Sequence, residues 1–355
     1  MRTDWRMRSL RGGYRIGTLN GVGRRVGGVY LLEFAGEDDG FAAAEAGVAA
    51  GGVDRFSAGL ATATVLDAGR VATLAYTHFA SELLGRTDAD LGSARVLLEA
   101  SSVERAGSVA VRARDVRGAT GVDTQRVERE LGSVLVDRGF SVDLDDPDHE
   151  LRAVFSERAD GDGVCALGWL EAASVRDYGD RKPTDRPFFQ PGSMAPLDAR
   201  ALVNLARVDP GDRLLDPMCG TGGVLLEAGI VGAKPIGNDA QAKMVRGTRK
   251  NLSELSDSAF DVLRGDATRL ALRDDSVDGV VFDAPYGRQS KIETHGLKDL
   301  VAGALAEARR VSTGRCVLVA DRDWRAEARE AGWTVKNRFE RRVHRSLVRH
   351  VLVLG

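Results

Sequence analysis

Two hydrophobic periods alternate along this chain, and their order changes near its middle. In residues 29–172 the signals are mixed. Val29–Phe34 reads as a strand, and the Ala-rich run Ala42–Ala50 is compatible with a helix. Gly59–Leu66 and Arg70–Ala75 are predicted to form a hairpin, followed by an amphipathic stretch over Thr77–Leu84. Val109–Arg114 alternates at the strand period. Val127, Leu131, Val134 and Leu135 then recur at helical spacing within Thr124–Arg138, with Asp123 placed to cap the helix and Gly139 to end it. Ser141–Leu144 and Leu151–Ser156 read as strands about a turn at Asp145-Asp146-Pro147-Asp148. Beyond Asp185 short buried-strand runs alternate with helices, the order of a parallel sheet. The predicted strands are Arg213–Asp216, Lys234–Asp239, Asp261–Gly265, Gly279–Asp283 and Arg315–Ala320, with helices over Leu197–Leu205, Val224–Ile230 and Ala240–Asn251. Trp333–Phe339 and Ser346–Leu354 complete the pattern as an antiparallel pair. The expected fold class is therefore α/β in the C-terminal half, preceded by an α+β region.

One stretch organises the second half: Leu214-Leu215-Asp216-Pro217-Met218-Cys219-Gly220-Thr221-Gly222-Gly223. A buried strand ends in an acid, passes through a glycine-rich turn and enters an apolar helix, the first crossover of a Rossmann-like, doubly wound sheet. Gly220 and Gly222 let the backbone approach a ligand, and free N–H groups at the helix start can meet a carboxylate. The plainer reading is a tight strand-to-helix turn. Asp239 ends the next strand about 20 residues on, where an acid can bind ribose hydroxyls, a position equally suited to capping the following helix. The fourth strand ends in Asp283-Ala284-Pro285-Tyr286.

Composition narrows the function classes. A length of 355 residues, 43% hydrophobic, admits two or three domains with their own cores. No apolar run approaches the roughly 18–20 residues that span a bilayer. Three dispersed cysteines and five scattered histidines suggest neither a disulfide framework nor a metal site, and a reducing cytoplasm is the expected compartment. Net charge is −2. It is uneven, because residues 1–28 hold seven Arg and one Asp, leaving an excess of acids in the rest. That Arg-rich, acidic balance suits a salt-loving host, and it means that nucleic-acid affinity cannot rest on a broad basic surface. Residues 1–28 lack hydrophobic periodicity and are expected to be a disordered extension. Tyr178–Asp185 is polar and turn-rich, a linker.

A glycine loop followed by an Asp-x-Pro-Tyr strand end resembles the S-adenosylmethionine-dependent amino-group methyltransferases. The run Phe140–Asp148, with the alternating strand after it, resembles the THUMP domain of RNA-modifying enzymes. Arg186-Pro187-Phe188-Phe189-Gln190-Pro191-Gly192-Ser193-Met194 closely resembles a segment of the archaeal tRNA (guanine10-N2)-methyltransferase family, and with these motifs the resemblance spans roughly residues 29–355. The departures are Gln190 in place of the usual His and Ala284 in place of the first Pro of Pro-Pro-Tyr; the second makes the turn less rigid.

The resemblance implies an N-terminal ferredoxin-like domain (29–90), a THUMP domain (91–172), a linker (173–190) and a methyltransferase domain (191–355). It implies S-adenosylmethionine as cofactor, tRNA as partner, no metal and no membrane, and a monomer is expected. Cofactor contacts fall on Asp216, Cys219, Gly220, Thr221, Gly222, Asp239, Asp266, Ala267 and Asp283, with the Asp266 carboxylate on the adenine amine and the Ala267 N–H on a ring nitrogen. Cys219 reads as a packing residue of the loop, not a nucleophile. Catalysis is assigned to Asp283, Ala284, Pro285 and Tyr286. A purine amine is a poor nucleophile because its lone pair is delocalised, and acceptors for its N–H bonds favour the pyramidal nitrogen that attacks. The Asp283 carboxylate and the Ala284 carbonyl supply them, while the Tyr286 ring stacks on the base, worth roughly 1–3 kcal/mol. A paired base has to flip out to reach such a pocket. Arg112, Arg114, Arg117 and Arg126 are candidate phosphate contacts or a solvated face, and Arg288 and Lys291 candidate RNA contacts. Asp-x-Pro-Tyr does not separate guanine from adenine. The alternatives are another RNA guanine, a nucleic-acid adenine amine, or a non-catalytic RNA-binding scaffold.

Overall fold

The computed structural model describes residues 26–286, 296–344 and 347–355. Arg288 and Lys291, and the first 25 residues of the expected extension, lie outside them. The chain forms two compact units, divided between Val175 and Arg176.

The first unit runs β1 (Val26–Phe34), α1 (Asp39–Ala46), β2 (Ala50–Gly51), β3 (Asp54–Ser57), β4 (Leu60–Leu66), α2 (Ala68–Val71), β5 (Thr77–Thr87), α3 (Leu91–Ala100), β6 (Ser108–Asp115), α4 (Thr124–Asp137), β7 (Ser141–Val142), β8 (His149–Glu157) and β9 (Gly163–Ala173). All nine strands belong to one sheet, ordered β2-β4-β1-β5-β9-β8-β6-β7 with β3 on β4. One sheet thus runs through both the expected ferredoxin-like and the expected THUMP segments. β9 joins them, pairing antiparallel with β5 on one side and β8 on the other. β1 starts at Val26, so the last three residues of the expected extension are strand.

One local expectation fails here. Arg70–Ala75 is no hairpin strand; the Asp67 side chain accepts the Arg70 N–H at 3.1 Å and caps the short helix α2 instead. The stretch Thr77–Leu84 is strand, because ladders to β1 and β9 hold it extended on both sides. Helix α4 forms as patterned. Asp123 accepts the Arg126 N–H at 3.0 Å, and Val127, Leu131, Val134 and Leu135 pack on Val109, Leu151, Phe155 and Trp169. Three of the four candidate phosphate arginines are occupied internally: Arg112 donates to the Leu144 carbonyl, Arg114 pairs with Glu33 at 3.4 Å and Arg117 with Asp39 at 2.6 Å.

The second unit runs α5 (Pro196–Leu205), β10 (Arg213–Asp216), α6 (Gly223–Ile230), β11 (Lys234–Asp239), α7 (Ala242–Leu255), β12 (Asp261–Arg264), β13 (Val277–Asp283), α8 (Leu297–Val311), β14 (Ser312–Ala320), α9 (Arg325–Glu330), β15 (Val335–His344) and β16 (Leu347–Leu354). The sheet order is β12-β11-β10-β13-β14-β16-β15. The first five strands are parallel, and β16 runs antiparallel between β14 and β15. Connections leave β10 to one side and β13 to the other. Their carboxyl ends form the topological switch point, where such sheets bind ligands. Phe282, Leu318, Leu352, Trp324 and Trp333 fill the core on one face.

Residues 176–190 are built into this second unit. Arg181 grips the fully buried Glu227 of α6 through Nε (2.6 Å) and Nη2 (3.0 Å), and Arg200 of α5 reaches the same carboxylate at 2.8 Å. Phe188 pairs its backbone N–H and carbonyl with the Asn251 side chain of α7, both at 2.8 Å.

Candidate active site

The loop from Asp216 to Gly222 is held by side chains of β11 and α7 and by a backbone bond from the Cys219 N–H to the Asn238 carbonyl at 3.0 Å. At its start the Met218 N–H donates to Asp216 at 3.1 Å. The Gly220 N–H donates to Asp239 Oδ2 at 3.0 Å. Asn238 bridges the loop to the end of β12, donating to the carbonyls of Pro217 and Gly265, each at 3.0 Å. From α7, Thr248 donates to the Gly220 carbonyl at 2.7 Å and Asn251 to the Thr221 carbonyl at 2.9 Å. Gly222 caps α6 with φ +78°, and a Cβ there would meet Thr248 Cγ2 at 2.7 Å, so only glycine fits. The Cys219 thiol is buried with its Sγ 3.8 Å from Thr248 Oγ1, and burial raises its pKa. It packs the loop.

Four acids mark the carboxyl ends of successive strands: Asp216 on β10, Asp239 on β11, Asp266 after β12 and Asp283 on β13. Asp239 also accepts the Gln241 N–H at 2.9 Å, which orients its carboxylate while α7 begins at Ala242. Asp266 accepts the N–H and hydroxyl of Thr268 at 2.9 and 2.8 Å. The Ala267 N–H has no acceptor among the described residues. Burial holds the Asp216 carboxyl well above the ordinary range, and the charges of Asp239 and Asp283 push the same way against the Met218 hydrogen bond. Asp239 and Asp283 thus each act against a charged Asp216 beside one glycine loop.

Asp283 is placed differently. Burial pushes its carboxyl up to about 6, opposed by Arg349 and by a hydrogen bond from Tyr286. The Tyr286 hydroxyl donates to Asp283 Oδ1. Arg349, on β16, donates through Nε to the Tyr286 oxygen at 3.1 Å and lies 3.8 Å from Asp283 Oδ2 through Nη2. Its Nη1 faces Asp198 of α5 at 3.7 Å. Asp283 keeps 23% of its side chain exposed. The Ala284 N–H donates to the Val319 carbonyl at 2.8 Å, fixing the turn on β14, and the Ala284 carbonyl takes no hydrogen bond from the described residues.

A family model described as the RMKL-like methyltransferase domain matches residues 183–350. Over 286 residues the chain is 37% identical to the tRNA (guanine(10)-N2)-dimethyltransferase of Methanothermobacter thermautotrophicus, an alignment covering 79% of this chain and 83% of that one. The enzyme of the same name from Pyrococcus abyssi is 31% identical over 252 residues, 70% of this chain and 74% of its own. The chain belongs to the tRNA (guanine(10)-N2)-dimethyltransferase family. A third member, from Methanocaldococcus jannaschii, is 40% identical over 174 residues, 47% of this chain and 48% of its own.

Membership makes this chain an enzyme whose methyl donor is S-adenosylmethionine. The donor set fits that cofactor. It carries a sulfonium and an ammonium group, and Asp216, Asp239 and Asp283 set three acidic side chains at the strand ends that can attract them. Among the described residues no group of His, Cys, Asp and Glu could hold a metal ion, and no helix is long and apolar enough to cross a membrane. Every residue singled out in the sequence at Asp216–Gly222, Asp239, Asp266–Ala267 and Asp283–Tyr286 lies at the carboxyl edge of this one sheet. Sequence reasoning missed Asn238, Thr248, Asn251 and Arg349. A signal existed for each: a polar residue where the pattern calls for an apolar one, on β11, on the buried face of α7, and within the apolar run of β16.

Proposed function

We propose that this enzyme methylates the exocyclic N2 amine of guanine in tRNA, at position 10 as its relatives' names state, and up to twice. The observation that carries the reading is the end of β13. Asp283 Oδ2 and the Ala284 carbonyl are two acceptors on adjacent residues, neither taking a hydrogen bond from the described residues. A guanine amine offers two N–H bonds. Accepting both draws nitrogen toward the geometry that attacks, and the contacts strengthen as nitrogen becomes positive.

When bound, S-adenosylmethionine supplies an electrophilic methyl group on sulfur. On the protein side, the Asp216–Gly222 loop would hold the cofactor's amino-acid part, Asp239 the ribose hydroxyls, Asp266 the adenine amine and the Ala267 N–H a ring nitrogen. Cys219 supports the loop from behind. Tyr286 presents its ring to the flipped base while its hydroxyl orients Asp283. Pro285 stiffens the turn between them. Residues 91–172 serve as the THUMP element that holds tRNA, with Arg126, an exposed arginine, as a phosphate contact. The enzyme works as a monomer, and its three buried free cysteines support a reducing, cytoplasmic setting.

Nucleoside mass spectrometry on unmodified tRNA transcript, incubated with enzyme and S-adenosylmethionine at high salt, tests this. N2-methyl- and N2,N2-dimethylguanosine are expected, and Asp283→Ala should abolish both while cofactor affinity stays within a few fold. Methyladenosine as the product would move the target; a near-full rate for Asp283→Ala would overturn the mechanism.

A further inference from the structure

Arg349 stands 63 residues beyond Tyr286, yet it reaches the same carboxylate. The topology explains how. Because β16 runs antiparallel to β14, its N-terminal end lies at the edge of the sheet where the parallel strands finish. Val351 pairs with Val319, which pairs with Asp283, so Arg349 sits two residues past that row and overhangs the end of β13. Its side chain is only 10% exposed. A long, charged side chain is seldom buried that far without partners that fix it.

The hydrogen-bond directions in this cluster admit one arrangement. A guanidinium has no acceptor, so the Tyr286 oxygen accepts from Arg349 Nε, and the only proton left on that hydroxyl goes to Asp283 Oδ1. Oδ1 is thereby used. Oδ2 stands 3.8 Å from Arg349 Nη2, close enough for charge attraction but beyond a hydrogen bond, and so remains open to an incoming N–H. We propose that Arg349 is a positioning residue for methyl transfer, locking the Tyr286 hydroxyl onto one oxygen of Asp283 and keeping the carboxylate charged so that its other oxygen accepts the guanine amine. This rests on the reading of Asp283 as that acceptor.

The charged and titratable neighbours of Asp283 come from four elements. Tyr286 follows β13, Arg349 lies on β16, and Asp198 on α5 opposes ionisation of Asp283, while Asp283 in turn raises the carboxyl of Asp216 on β10. Arg341 on β15 faces Asp198 at 3.3 Å and moderates it. Arg349 is the cation that stands against both burial and Asp198. Without it Asp283 holds its proton to higher pH, and a protonated carboxyl accepts less well.

The chain has five tyrosines, so [13Cζ]-tyrosine NMR can follow Tyr286, assigned through Tyr286→Phe, as Asp283 titrates. The wild-type midpoint should fall near 6. In Arg349→Gln it should rise by about one pH unit or more, the usual effect of a nearby opposite charge, and in the charge-retaining Arg349→Lys it should stay near the wild-type value. Turnover should follow: Arg349→Gln should lose about fivefold or more in kcat at pH 6, recovering toward the wild-type rate at pH 9, with KM for tRNA unchanged. An unmoved NMR midpoint, or the same loss at every pH, would overturn the proposal. A shifted midpoint in Arg349→Gln, together with a wild-type enzyme that forms no methylguanosine, would uphold the role of Arg349 in the cluster and refute the functional reading instead.

Discussion

Asn251 ties the glycine loop to the Phe188 segment, and its removal has a magnitude that follows from the geometry. The side chain is 1% exposed and makes three hydrogen bonds, two with the Phe188 backbone at 2.8 Å and one with the Thr221 carbonyl at 2.9 Å. Each contributes about 1 kcal/mol net, so Asn251→Ala should cost about 3 kcal/mol, more if the Phe188 N–H is left dry. For a unit of this size that lowers Tm by roughly 6–12 °C. Scanning calorimetry is the assay, reading the transition that shifts upward with added S-adenosylmethionine, since two compact units can melt separately. Because the Thr221 carbonyl lies in the cofactor loop, cofactor Kd should weaken as well. Asn251→Asp sharpens the test. It keeps the acceptor for Phe188 but points a carboxylate at two carbonyls, so it should be at least as unstable as alanine. A Tm within about 2 °C of wild type for Asn251→Ala, or a stable Asn251→Asp, would refute the bracing role and the amide orientation behind it.

Glu227→Ala should destabilise by about 3–5 kcal/mol, because Arg181 and Arg200 would be left buried without their shared carboxylate; urea denaturation read as a midpoint at constant slope checks it. Tyr286→Phe should retain base stacking but release Asp283 Oδ1, moving the acid limb of the kcat profile to higher pH, whereas Tyr286→Ala should also lower kcat across the whole range; equal losses at every pH would count against both roles.

Much of the site was legible because its parts are local. The Asp216–Gly223 loop, Asp239, Asp266 and Asp283 each sit where a buried strand ends, and strand ends in a regular α/β pattern are among the clearer sequence signals. Asn238 and Asn251 escaped because a polar residue within a buried element has no meaning until its acceptors are known, and those are backbone carbonyls of another segment. Arg349 escaped because its partners depend on β16 entering antiparallel between β14 and β15. In the first unit one short element misled: Arg70–Ala75 has an apolar spacing that fits either period, and the Asp67 cap decided it as part of α2. The linker over 173–190 looked polar because its arginines are polar in composition, although Arg181 and Arg186 are buried.

The place of β9 has a consequence for how this protein can be divided. A fragment stopping before Gly163 would leave β5 and β8 each with an unsatisfied row of N–H and C=O groups, two adhesive edges of nine and more residues facing one another across a gap. Such fragments should aggregate, so neither half of the first unit is a natural module for grafting. The same stitch makes the unit wait, during folding, for a strand that lies about 80 residues from β5 in sequence, the kind of distant pairing that slows collapse into the native register.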